Sequence, residues 1–147
     1  MLKTILVAVD SSAQHPVILD QAAEVAIATG ADVHVATVAD AAGRAGMALN
    51  RSTPGVYSAL EHETETVLKA ACVRLSDRGV PCRTHALNGL VAEQLILLAK
   101  GINADLIVMG HRHLSWMQKI FENSVGHNLL DRSPCNVLVV MEGSKGE

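Results

Sequence analysis

Apolar residues fall along this chain in short runs, separated by longer stretches where they recur every three or four positions. The first run, Thr4-Ile5-Leu6-Val7-Ala8-Val9, is continuous rather than alternating. Continuity fits a parallel strand covered on both faces. Asp10-Ser11-Ser12 ends it with residues that favour turns and helix caps. Pro16 to Thr29 then predicts a helix with a stripe of Val17, Leu19, Ala23, Ala26 and Ile27, stopped at Gly30. Asp32 to Val38 predicts a second strand. Ala39 to Tyr57 reads as a long loop holding Gly43, Gly46, Pro54 and Gly55, with at most a weak helical turn. Loops of that length are usually functional or mobile, unless a partner subunit orders them.

Ser58 to Arg78 is the longest helical pattern, with Leu60, Thr64, Val67, Leu68, Ala71, Val73 and Leu75 at helical spacing and Gly79 and Pro81 as stops. Pro81 to Leu87 alternates, as a less buried edge strand does, and Asn88-Gly89 reads as a turn. Val91 to Lys100 predicts a short helix carrying Leu95, Ile96, Leu98 and Ala99. The stretch Asp105 to Val140 reads as strand, polar loop, helix, strand, and closes on Val137-Leu138-Val139-Val140. Strand and helix alternate throughout. The expected fold is α/β, an open parallel sheet of five strands with helices on both faces. The tail 142–147 should fray.

At 147 residues one domain is expected over 1–147. Hydrophobic residues make up 49% and aromatics 2%, so Ala, Val, Leu and Ile must build the core. The net charge of -3 has no like-charge block behind it, which gives no support for nucleic acid or an anionic membrane as partner. No apolar run approaches the roughly 20 residues that span a bilayer, and Met1 to Ile5 has no signal-peptide anatomy. Cys72, Cys82 and Cys135 are widely spaced with no C-x-x-C, and read as three inert, unpaired thiols suited to a reducing cytosol. A soluble, cytoplasmic protein is expected.

In an open α/β sheet, ligands sit beyond the carboxyl ends of the strands, where the strand order switches. If the first strand is central, Val9-Asp10-Ser11 and Met109-Gly110 converge there. A helix starting near Ser124 would aim its N–H groups and positive dipole end at the same place. Other chemistry is weaker. His111, His113 and His127 lack the spaced Cys or carboxylate that would complete a metal site, so no metal is expected. There is no G-x-S-x-G elbow and no G-x-x-x-x-G-K-[ST], which argues against a hydrolase triad and a P-loop enzyme. His34 and His85 read as packing or surface residues. Trp116, Ile120 and Phe121 read as a cover for the loop or for a dimer contact.

Lys3 to Asp10, Gly89, Ala104-Asp105-Leu106-Ile107-Val108-Met109-Gly110 and above all Ser133-Pro134-Cys135-Asn136-Val137-Leu138-Val139-Val140 resemble the universal stress protein family over almost the whole chain. The resemblance implies a Rossmann-like sheet of order 3-2-1-4-5 and a homodimer paired through the last strand, Val137–Val140. It implies a regulatory role in stress response and a protein partner it does not specify; no catalysis is expected, with only slow ATP hydrolysis left open. One branch of the family binds ATP or a related adenine nucleotide, with Mg2+ only where ATP is bound. Another branch binds no nucleotide and serves as an interaction module.

The binding branch carries glycine, two residues, glycine, nine residues, then glycine followed by serine or threonine. Laid on this chain those positions are Gly110, His113, Asn123 and Ser124, so the spacing is kept and two glycines are replaced. Asparagine reaches the left-handed region and its amide can donate to oxygen. His113 adds bulk, yet imidazole can donate to phosphate and Arg112 beside it can make a bidentate contact. By the resemblance, Ala8, Val9 and Asp10 border base and ribose, with Ser11 beside them, and Val38 packs on adenine. Met109, Gly110, Arg112, His113, Asn123, Ser124 and Val125 form the candidate phosphate end.

Overall fold

A computed structural model of the chain describes residues 1–10, 15–40, 54–112, 114 and 129–141. The elements are β1 (Thr4–Ala8), α1 (His15–Thr29), β2 (Asp32–Asp40), α2 (Pro54–Asp77), β3 (Cys82–Gly89), α3 (Val91–Gly101), β4 (Leu106–Gly110), α4 (Leu129–Arg132) and β5 (Asn136–Val140). The strands form one parallel sheet in the order β3-β2-β1-β4-β5. β1 is central, and the aliphatic runs of β1 and β4 are buried almost throughout, as continuous hydrophobicity requires.

Alternate residues of these strands supply two cores. Ile5, Val7, Val9, Val33, Val35 and Val108 face α1 and α2. Leu6, Ala8, Ala36, Ile107 and Met109 face α3 and α4. The face that α1 buries is Ile18, Leu19, Ala22, Ala23 and Ala26, while Val17 and Ile27 of the expected stripe are 46% and 60% exposed. Val73 of α2 is likewise exposed, beside the buried Val67, Leu68, Ala71 and Leu75. Leu19, Ala23 and Ala26 of the expected α1 stripe are buried, and Ile18 and Ala22 stand on the buried face in place of Val17 and Ile27, so that face is turned slightly from the expected one.

Two further boundaries differ from expectation. α2 begins at Pro54, inside the segment read as loop. Proline has a fixed φ and no N–H to lose, so it suits a first helical position. Asn88 and Gly89 pair with Ala39 and Asp40 as the last rungs of β3, so they are strand rather than turn. α2 ends as expected. Gly79 takes φ +78 and donates to Ser76 O, while Val80 donates to Leu75 O. Leu75 and Val80 are both buried, completing a Schellman stop with its hydrophobic contact.

The cysteine expectation is corrected. Cys72 on α2 and Cys82 at the start of β3 form a disulfide, with Cα atoms 6.0 Å apart. Only Cys135 is a free thiol. The cysteine argument for a reducing compartment therefore fails. A helical wheel and a strand pattern cannot show that α2 sets one thiol above the first residue of β3.

The opposite end of the sheet from the strands' carboxyl ends is tied by Asp105. Its carboxylate accepts from the backbone N–H groups of Lys3 and Thr4 at 2.9 and 3.0 Å, and its own N–H donates to Thr4 O. Those two backbone donors hold its pKa below the usual carboxylate value. Asp105 is thus a clamp between β1 and β4, distant from the candidate site.

Candidate functional site

The sheet register brings the first set of candidate residues together. Ala8 lies beside Ala36, and the Val9 N–H donates to Ala36 O at 2.9 Å. Asp10 therefore follows β1 into the space beside Val38. On the other side Val7 pairs with Val108, which sets the end of β1 level with Gly110, and Gly110 pairs with Val140. Asp10, Val38 and Gly110 thus stand at the carboxyl ends of three neighbouring strands. That is the switch point of the 3-2-1-4-5 order, where chains leave the sheet towards opposite sides and open a crevice.

Burial separates the candidate residues by the atoms they can offer. Ala8 and Val9 are each 1% exposed and Met109 is 0% exposed, so their side chains belong to the cores. These three can offer a ligand only backbone atoms. The Val9 N–H is already taken by Ala36, which leaves its carbonyl. Asp10 and Val38 are half-buried and Arg112 is exposed, so their side chains have surface to give. Ser11, His113, Asn123, Ser124 and Val125 lie outside the described residues, as do Trp116, Ile120, Phe121 and the helix expected near Ser124. Among the described residues no three His, Cys, Asp or Glu side chains group to hold a metal ion. No helix among them is long and apolar enough to cross a membrane.

One polar cluster escaped the sequence reading. His34 of β2 and His85 of β3 stack with ring centroids 5.1 Å apart, and His34 Nδ1 lies 2.9 Å from His85 Nε2. His34 is only 8% exposed. Both sit on the face that α3 covers, where His34 and Ala36 alternate with the residues of the α1 and α2 core. The i, i+2 rhythm of a strand could have put each on that face, but only the register puts them together. Burial holds both imidazoles below their ordinary pKa. Repulsion from His85 and Arg83 adds to it at His34, where Asp32 opposes, and Arg83 adds to it at His85.

The sign of the linkage follows. The unfolded chain takes up these protons near pH 6.5 while the folded chain takes them up only at lower pH. The pair's contribution to stability is complete above about pH 6.5 and is lost as the pH falls through the folded values. Melting temperature should fall between about pH 7 and pH 5. His85→Gln should flatten that slope, and an unchanged slope in thermal melts would exclude the pair as its source.

Residues 1–141 match the sequence profile of the universal stress protein family. The chain belongs to that family. Universal stress protein A homolog 1 of Coxiella burnetii is 31% identical over 144 residues, covering 94% of this chain and 95% of that protein. A universal stress protein solved in complex with cAMP is 26% identical, with TM-score 0.67 over 95% of this chain and 97% of that one. The universal stress protein of Archaeoglobus fulgidus, solved in complex with dAMP, has TM-score 0.67 at 22% identity over 95% and 98% of the two chains, a likeness of fold. The Rossmann-like five-stranded sheet is thus shared with universal stress proteins of known structure.

Proposed function

We propose that this universal stress protein is a regulatory adenine-nucleotide binder rather than an enzyme. It binds AMP, ADP or ATP in the cytoplasm, as a homodimer. The convergence of Asp10, Val38 and Gly110 at the switch point carries the proposal. A carboxylate at a strand end can accept from ribose hydroxyls, and a half-buried valine gives adenine an apolar wall. A glycine where β4 ends carries no side chain, so backbone there can come close to a phosphate, and His111 and Arg112 after it are helical rather than the polar loop expected from the sequence. The similar protein solved with cAMP supports the ligand class. The phosphate end rests on Arg112, His113, Asn123, Ser124 and the N–H groups near Val125. Mg2+ enters only with the polyphosphate of ATP. No nucleic acid or membrane partner is proposed.

The homodimer reading rests on β5. Among the described residues it pairs only with β4, and Val137, Leu138 and Val139 are half-buried along an open edge. Such an edge is a template for a second copy. The two replaced glycines, at positions 113 and 123, favour a second reading in which the site stays empty and the dimer acts as a protein-interaction module. Calorimetry and thermal melts with AMP, ADP, ATP and cAMP decide between the two. Ligand at about a hundred times its Kd should raise the melting temperature by about 5–10 °C. No heat and no shift at millimolar nucleotide would leave the interaction module standing.

A further inference from the structure

We infer that Cys72 and Cys82 are a reversible redox pair, which exchanges with low-molecular-weight disulfides and, when oxidised, staples the edge strand β3 to α2. The two Cα atoms are 6.0 Å apart, inside the span a disulfide bridges without backbone movement. The geometry that presents the thiols to each other does not depend on the bond. The stop at the end of α2 is held by Gly79 at φ +78, by the Gly79–Ser76 and Val80–Leu75 hydrogen bonds, and by the buried Leu75 and Val80. β3 is then held in register by its pairing with β2 from Cys82 to Gly89. The reduced chain therefore keeps both sulfurs in place, and the bond opens and closes without refolding.

Access and position complete the argument. Both cysteines are half-buried rather than sealed in a core, so a small thiol or disulfide can reach them. The loop they close spans a sequence separation of 10, and a loop that short limits the entropy a cross-link removes from the unfolded chain. β3 is the outermost strand on its side of the sheet, and residues 82–89 are exposed or half-buried throughout. An edge strand with so little buried surface is the element a cross-link changes most. Cys135 is half-buried as well, and differs in having no second thiol beside it among the described residues.

The exchange balances in two displacements. The thiolate of one cysteine attacks a sulfur of the small disulfide, forming a mixed disulfide and expelling one small thiolate. The thiolate of the other cysteine then attacks the protein sulfur of that mixed disulfide. The Cys72–Cys82 bond forms, the mixed bond breaks, and the second small thiolate leaves. The pair gives up two electrons and two protons, and the small disulfide is reduced to two thiols.

The test equilibrates the full chain under native conditions in mixtures of reduced and oxidised glutathione, quenches with acid, and counts thiols by alkylation and intact mass. The count should pass reversibly from three to one as the mixture becomes oxidising, the remaining thiol being Cys135. Cys72→Ser and Cys82→Ser should each stop at a glutathione adduct on the remaining partner. Three thiols at every ratio overturns the proposal. So does a bond that opens only in denaturant, or cross-linking between two chains instead of within one. Amide exchange over residues 82–87 should be about tenfold faster in the reduced form, towards the lower end of what a cross-link contributes. Equal exchange in the two forms overturns the stapling.

Discussion

Asp10→Ala is expected to weaken AMP binding by about tenfold to a hundredfold, the effect of deleting a hydrogen bond to a charged group. The carboxylate stands where β1 leaves the sheet, beside Val38 of β2 and level with Gly110 of β4. Of the three residues at the end of β1 it is the one whose side chain is not buried, since Ala8 and Val9 are 1% exposed. Val9 and Ala8 can shape the floor of the crevice, and of these three Asp10 alone can bring a side-chain acceptor to it. Asp10→Asn keeps an acceptor oxygen and removes the charge, so its loss should be smaller. Calorimetry on both variants, with ligand-free melting curves as a control for folding, measures this directly. Wild-type affinity in Asp10→Ala would move the ribose away from β1 and remove the central contact of the proposed function.

Ile107→Ala should cost about 2–5 kcal/mol, the range for truncating a fully buried aliphatic side chain. Ile107 is 0% exposed in β4, flanked in register by Leu6 of β1 and Val137 of β5. It packs in the core covered by α3 and α4, and parallel strands in register leave little freedom to close the cavity. Against a domain stability of about 5–15 kcal/mol this is a large fraction. Urea unfolding should show the midpoint falling by about 1–2 M. Leu97→Ala is the matched control. Leu97 lies on α3 but is 55% exposed, and its removal should change stability by less than about 0.5 kcal/mol. Equal losses in the two variants would contradict the burial described.

These two residues also show how far the chain could be read before its structure. Ile107 and its neighbours in β4 were legible because a parallel strand buried on both faces has no polar position to blur it. Asp10 was legible as a site because polar residues after such a strand fall at the carboxyl edge of the sheet, where an α/β fold opens. The helices were harder. In α1 the buried face is Ile18, Leu19, Ala22, Ala23 and Ala26; the expected stripe shared Leu19, Ala23 and Ala26 with it but took in the exposed Val17 and Ile27 in place of Ile18 and Ala22. Alanine is a weak hydrophobic signal in sequence but a strong one in packing, since it sets how close a helix can lie.

The alternation of strands and helices was determined by the sequence alone, and motifs along almost the whole chain pointed to the universal stress protein family and, through that resemblance, to a sheet with β1 central. The alternation rests on residues close together in the chain, whose periodicity is a local property. The tertiary structure decided what those residues meet. It paired Cys72 with Cys82, stacked His34 on His85 across two strands, and gave Asp105 to the backbone of Lys3 and Thr4. It also withdrew the side chains of Ala8, Val9 and Met109 from the candidate site into the cores. Strand register and helix rotation govern all of these, and both are set by packing between segments distant in sequence.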